Sequence, residues 1–419
     1  MPERFEPAPR DVAAALRTTT ETLARELRNP SSAAPPWTDF EWRIAEAASA
    51  MHGVSALLAR RLRWQGPPRW RRFVEEQQQQ TEVRHARICA FVQLIDTLAR
   101  HEDVAMTALK GVALHAFGLY RPGERPMADV DLLVPEGDRP AAARVLEQAG
   151  HGLCCDVWKH GVYVPRDATE IVGFAEHVGN PIKVDLHVRI RERLPLVEVD
   201  ITSLLMPANP RRATEFSGLH GYPSLGALMT HLLLHAAGNL AYRSLRLIHL
   251  HDIARLAKHL GPADWDVVAG LDSPWWALPP LDFASRYGGG VVVPPSVRRR
   301  LDRACPRRLR RAIARHALTD VSLSNPWIEA FPGIEWSPTR RDALRYAAER
   351  IRPRRETLAA REDAARAVPW MAESPWTRMS QWRRIVHWVR TKPPRYETMH
   401  SVAAALREPA VETPVISAS

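Results

Sequence analysis

Two short segments constrain the fold of this 419-residue chain more than any other feature. In "ADVDLLV" (128–134), Val130, Leu132 and Val134 alternate with Asp129, Asp131 and Leu133. In "PIKVDLHVRI" (181–190), Val184, Leu186, Val188 and Ile190 alternate with Asp185, His187 and Arg189. Period two is the pattern of a strand, and residues two apart share a face. Each segment therefore predicts a β-strand with one apolar face and one face bearing carboxylate. Asp129 and Asp131 project together, roughly 6.5–7 Å apart along their strand. Like charges on one face repel, and burying them is costly. An exposed edge strand would tolerate the pair, and for an isolated Asp-x-Asp that is the simpler explanation. Asp185 changes the balance. If the two strands are neighbours in one sheet, at roughly 4.8 Å, three carboxylates converge. Converging oxygen ligands suit Mg²⁺ or Mn²⁺.

The segments around these strands have their own punctuation. Asp138 suits an N-cap, Pro140 a first helical turn and Gly150 a helix stop, with Ala142, Val145, Leu146 and Ala149 on one face between them. "VAMTAL" predicts a strand, "GVALHAFGLY" a helix, and "GLCCDVW" with "GVYVP" a hairpin-like pair. Residues 101–195 thus form an α/β core. Residues 1–38 read as an N-terminal arm and linker, with a possible helix near 11–27 and the linker "NPSSAAPPW". Residues 39–100 read as a helical region, with helices over 39–66 and 70–100 split by "GPP". Residues 196–290 read as a helical domain built on "LGALMTHLLLHAAG" and "RSLRLIHLHDIARLAKHL". Residues 291–419 read as a basic helical region with a disordered tail, "REPAVETPVISAS". The predicted class is α+β: a small mixed sheet flanked by N-terminal and C-terminal helical regions, divided among more than one core.

Charge adds less than it first suggests. Lys and Arg number 58 against 47 Asp and Glu, a net charge of +11, which favours an anionic partner. The excess is nearly all Arg, in an Ala- and Pro-rich chain, and it is heaviest in the C-terminal third. No nucleic-acid-binding motif accompanies it, so nucleic acid is not an expected partner. The four cysteines, Cys89, Cys154, Cys155 and Cys305, have neither zinc nor disulfide spacing. "MPERFEPAPRD" has no apolar leader, and no run of about 18 residues lacks charge or His, so a cytoplasmic protein with no transmembrane segment is expected.

Two further stretches carry expectations. In "HLLLH", His231 and His235 share a helical face, but the glutamate of a zinc-protease motif is absent and zinc is not expected. His235 and Asp252 are expected to make polar contacts between helices framing a cleft. In residues 376–396, Trp376, Met379, Trp382, Val386 and Val389 recur at helical spacing. They predict an amphipathic helix that covers apolar surface on its own protein, with a membrane-surface helix as the alternative.

Taken in order, "LKG" (109–111), "RPMADVDLLV", a helix ending in "AGH", "VDLHVRI", "LLLHAAG" and "LRLIHLHDIARLAKHLGPADWDVV" resemble a known group over roughly residues 40–275. The chain is similar to the uncharacterised bacterial nucleotidyltransferases of the polymerase-β-like superfamily. The resemblance implies a small mixed sheet beside a helical domain. It also implies Mg²⁺-dependent (or Mn²⁺-dependent) transfer of a nucleoside monophosphate from an NTP, ATP foremost, to an acceptor hydroxyl, with release of pyrophosphate. It carries Asp129 and Asp131 over as paired metal ligands and Asp185 as the third carboxylate. Gly111 stands in the superfamily's Gly-Ser turn, where the serine is not kept, so Lys110 and Arg125 are expected to supply phosphate contacts. His187 shares the face of Asp185, and His235 with Arg243 or Arg246 is expected to face nucleotide or acceptor. The acceptor, whether small molecule, peptide or protein, stays open. Two other enzyme classes fit less well. A glycosyltransferase DxD lies in a loop and leaves Asp185 unexplained, and a dehalogenase-type phosphatase wants Thr where Leu133 stands. The alternative to an enzyme is a non-catalytic nucleotide-binding or partner-binding module on the same fold; the presence of all three acids favours catalysis.

Overall fold

The computed structural model describes residues 7–167, 174–206, 217–353, 358 and 379–407. Four helices open the chain: α1 (Pro9–Arg28), α2 (Asp39–Met51), α3 (Ser55–Arg61) and α4 (Pro68–His101). Each start is written locally. Thr38 and Glu41 form a reciprocal capping box at α2, and Pro68 occupies the first turn of α4, where a missing N–H costs nothing. The single helix expected over 39–66 breaks between α2 and α3, where Gly53 takes φ +66°. Glycine adopts that left-handed backbone without steric cost.

The sheet elements follow: β1 (Ala105–Ala108), α5 (Lys110–Ala116), β2 (Asp129–Leu133), α6 (Arg139–Gln148), β3 (His151–Asp156), β4 (His160–Pro165) and β5 (Lys183–His187). A separate hairpin, β6 (Arg191–Leu194) and β7 (Val197–Asp200), precedes the short α7 (Thr202–Leu205), and β8 (Gly218–His220) returns to the main sheet. The order is β3-β4-β5-β2-β1-β8. β2 runs parallel to β5, and β1 parallel to β8; the other neighbours are antiparallel. The class is α+β with a mixed sheet, as expected. Neither the β6–β7 hairpin nor β8 was anticipated.

β2 lies inside the sheet, between β5 and β1, so its aspartates are not on an edge. Its apolar face, Val130 and Leu132, joins Val184 and Leu186 of β5 in a core with Ile88 and Ile95 of α4 and Ala142, Val145 and Leu146 of α6. The acidic face looks the other way, toward α8 (Leu225–Ala241) and α9 (Leu247–Ala257). α8 is buried on nearly every side, as its continuous apolar sequence requires. Its leucines share a second core with Val12, Leu16 and Leu23 of α1, with α2, and with Leu318 and Val321 far down the chain. Thr20 of α1 donates to Ser324 Oγ at 2.7 Å, and Glu21 accepts from the Thr319 backbone N–H at 3.0 Å. Helix α1 therefore packs as part of the helical body around the sheet.

The C-terminal helix hides only part of its expected apolar stripe: Met379 and Val386 are half-buried. The helix spans Gln381–Arg390, and Trp382 and Val389 are 71% and 81% exposed. The half-buried face is Gln381, Arg384, Ile385, Val386 and Trp388. It is set by docking: Gln381 donates to the Arg350 carbonyl at 2.8 Å, and the Arg350 guanidinium lies 5.6 Å from the Trp388 ring centre. Trp376 and the tail beyond Arg407 lie outside the described residues. Among the described residues no helix is long and apolar enough to cross a membrane.

Candidate active site

The register of three strands builds the site. Asp131 pairs directly with Asp185 across β2 and β5, Asp129 pairs with Lys183, and Leu133 with His187. Across β5 and β4, Asp185 pairs with Val162 and His187 with His160. Directly paired residues share a face, so Asp129, Asp131, Asp185, His187 and His160 all project from one side.

Burying these groups together shifts their protonation. Burial, then repulsion from Asp129 and Asp131, pushes the Asp185 carboxyl up to about 8. Asp129 is raised for the same two reasons, burial and the Asp131 charge. Asp131 goes the other way. Burial opposes its charge, but Lys110 and His187 outweigh burial and hold it well below the usual carboxylate range. The Lys110 Nζ donates to Asp131 Oδ1 at 2.7 Å, and the His187 Nε2 lies 3.1 Å from the same oxygen. Burial by itself would lower the Lys110 pKa; attraction from Asp131, Asp129 and Asp185 raises it instead. One ammonium thus offsets part of a three-carboxylate cluster.

Lys110 is held there at some cost. It opens α5 with φ +40°, a left-handed backbone for a residue with a side chain, worth about 1–3 kcal/mol of local strain. Its backbone N–H donates to Tyr222 Oη at 3.2 Å, and that oxygen is hydrogen-bonded in turn to His231 Nδ1 at 2.6 Å. His231 is therefore spent on positioning the strand-to-helix turn, which separates it from His235.

A cavity of about 160 Å³ opens beside the acids, lined by Lys110, Asp129, Asp131, Arg125, Arg246 and His235 among others. Arg125 forms a two-pronged pair with Asp252 of α9, at 2.9 Å on both contacts, and Tyr120 donates to the same carboxylate at 2.6 Å. Burial opposes the Arg125 charge, but Asp252 more than compensates and raises its pKa. Arg246 has no such partner: among the described residues it makes no ion pair, and its Nε donates to the Met51 carbonyl at 2.8 Å. Burial and the nearby Arg125 charge lower its pKa. Two glycines make room for these cations. A Cβ on Gly111 would stand 2.8 Å from Arg125 Nη1, and one on Gly53 would stand 2.7 Å from Arg246 Nη2. A second cavity of about 340 Å³ adjoins the first across Pro126, Ala128, Glu176 and Arg246, and continues to Gln77, Arg84 and Lys183.

Of the residues singled out from the sequence, Asp129, Asp131, Lys110, Gly111, Arg125 and His235 line the smaller cavity, and Asp185 and His187 adjoin Asp131 through the sheet. Arg243 does not join them. Its guanidinium pairs with Glu335 at 2.8 Å and Glu329 at 3.0 Å, and it lines neither cavity. Arg246, three residues on, takes the place beside the acids. Asp252 bridges to Arg125 as an interhelical contact framing the cleft, whereas His235 packs against His249 with ring centres 4.9 Å apart. His160 was missed. Its strand pattern was visible in the sequence, but its partner strand was not.

The chain belongs to the family described as uncharacterised nucleotidyltransferase, which matches residues 38–274. No curated protein and no solved structure matches it. The matched span covers β1 to β8 together with α2–α4, α8, α9 and α10 (Pro262–Gly270), and so includes every residue of the acidic face.

Proposed function

With that family as premise, we propose that the protein transfers a nucleoside monophosphate from an NTP, ATP foremost, to an acceptor hydroxyl and releases pyrophosphate. One observation carries this assignment above the others. Three carboxylates from two adjacent strands share one side of the sheet, beside a cavity edged with cations. That convergence of oxygen ligands fits a divalent cation, Mg²⁺ or Mn²⁺, held by Asp129, Asp131 and Asp185. Such an ion would neutralise phosphate charge and acidify the acceptor hydroxyl.

The chain's own groups supply the rest. Phosphoryl-group transfer depends mainly on positioning and charge neutralisation. Arg125, oriented by Asp252 and Tyr120, and Arg246, half-buried without an ion pair among the described residues, present guanidinium groups to the triphosphate. Lys110, which donates to Asp131 in this structure, would be free to bind a phosphate oxygen if Asp131 held a divalent cation. The larger cavity, sharing Arg246 and Glu176 with the smaller, receives the acceptor. Its hydroxyl oxygen forms the new bond to the α-phosphorus, pyrophosphate departs with the broken P–O bond, and Asp185 takes the hydroxyl proton.

The test uses the full chain, each α-labelled NTP, Mg²⁺ or Mn²⁺, and a small-molecule and protein extract as acceptor pool. Label transfer with matching pyrophosphate release, lost in Asp131→Asn, supports the assignment. NTP turnover unchanged by Asp131→Asn, or no NTP binding with either cation, overturns it.

A further inference from the structure

Among the described residues, the metal-ligating atoms that gather most closely are not those of the three aspartates. They are those of His160, Asp185 and His187, all within 4.8 Å of one another. The register explains the cluster. His160 and His187 face each other across β4 and β5 with ring centres 4.7 Å apart. His160 Nε2 lies 3.1 Å from Asp185 Oδ2, and His187 Nε2 lies 3.1 Å from Asp131 Oδ1. Each imidazole thus reaches diagonally to a carboxylate on the adjacent strand. The His160 Nδ1 is buried and has no hydrogen-bond partner, so the contact with Asp185 is the one polar contact that holds this ring among the described residues. Ligands about 2.0–2.2 Å from a common ion stand at most about 4.4 Å apart, so binding would draw the outermost of these atoms together.

We propose that this face carries two unlike cation sites, and that His160, Asp185 and His187 form the second, a nitrogen-containing site selective for a first-row transition ion over Mg²⁺. This rests on the nucleotidyl-transfer assignment for the role of the neighbouring Asp129 and Asp131, which remain an oxygen-only site for the ion on the triphosphate. The chemistry follows from the donor set. Mg²⁺ keeps oxygen ligands and sheds water reluctantly, whereas imidazole suits Mn²⁺, Fe²⁺, Co²⁺ and Zn²⁺ progressively better than it suits Mg²⁺. Two imidazoles and one carboxylate would leave such an ion free to take water or an acceptor oxygen as a further ligand. The enzyme would then draw its second ion from a different pool from the one bound with the nucleotide.

The experiment loads the full chain with Mn²⁺ alone and reads nitrogen coupling to the bound ion by pulsed electron spin resonance. The protein is made once with ordinary and once with heavy-nitrogen histidine, so no substitution is needed. The expected result is histidine nitrogen coupling that changes with the isotope. Mn²⁺ binding should weaken at least about tenfold in His160→Gln, with Mg²⁺ displacing Mn²⁺ only at large excess. Bound Mn²⁺ without histidine coupling, or equal competition by Mg²⁺, overturns the site. The two readings fail separately. Nucleotidyl transfer with an oxygen-only Mn²⁺ spectrum removes the histidine site and leaves the function. Histidine-coordinated Mn²⁺ in a protein that binds no NTP leaves the site and removes the function.

Discussion

Replacing Lys110 with Met keeps the aliphatic stem and removes the charge that Asp131 leans on. In the metal-free protein the Lys110 and Asp131 side chains are 19% and 5% exposed, with nitrogen and oxygen 2.7 Å apart. Asp129 and Asp185 add further negative charge that the ammonium partly offsets. Removing one partner of a buried pair leaves an uncompensated charge and costs about 3–5 kcal/mol. Unfolding entropy near 2.1 cal/mol/K per residue gives about 0.9 kcal/mol/K for a chain of this length, so the melting temperature should fall by about 3–6 °C. A divalent cation can do what the ammonium did. Most of the loss should therefore vanish at saturating Mn²⁺, and Lys110→Met should bind Mn²⁺ more tightly than the parent, because no ammonium competes. Differential scanning calorimetry with and without Mn²⁺ checks both statements. A fall below about 1 °C without metal would show that Lys110 is not the counter-charge of the cluster. An equal fall with and without Mn²⁺ would show that the cation does not occupy the same field.

Three further outcomes follow from the same geometry. Asp252→Asn strands the Arg125 guanidinium, 11% exposed, and should cost about 3–5 kcal/mol in urea unfolding; the double change Arg125→Met with Asp252→Leu should cost less than Asp252→Asn alone. Gly111→Ala places a methyl 2.8 Å from Arg125 Nη1 and about as close to Met127, so NTP affinity should weaken at least about tenfold, the lower end for a displaced positioning group, with the fold retained by circular dichroism. The pH dependence has a definite sign. Asp185 is raised to about 8, so its stabilising contribution is present below its ordinary value and is lost as pH rises from about 4 to about 8. Asp131, held low by Lys110 and His187, contributes in the opposite sense and is lost only in acid. Metal-free protein should thus lose thermal stability toward pH 8 while Mn²⁺ affinity rises over the same interval and levels above it. A Mn²⁺ affinity independent of pH between about 6 and about 8 would show that Asp185 binds no proton there.

Much of this molecule is legible in one dimension. Alternation in 128–134 and 181–190 defined two strands and put Asp129 and Asp131 on one face of the first, because side-chain direction in a strand is a local property. The "GPP" ending at Pro68 marked a helix boundary for an equally local reason, a missing N–H. Order along the chain also sufficed to mark the nucleotidyltransferase family. Pairing is a different matter. Whether β2 is an edge or a centre strand, and whether Asp131 faces Asp185 or a residue one step away, depends on which strands meet. No residue on either strand encodes that alone. His160 was hidden for this reason, since its face has meaning only once β4 lies against β5. The exchange of Arg243 for Arg246 has a similar cause. The chain between α8 and α9 turns through Arg243 with φ +59°, which sends that guanidinium to Glu329 and Glu335 and leaves Arg246 facing the acids. The C-terminal helix shows the same limit from the other side. Its periodicity announced an apolar stripe, but the carbonyl of Arg350 and the ring of Trp388 decided which face turned inward. Period and capping are properties of a few neighbouring residues; register, burial and the field at a carboxylate belong to the assembled chain.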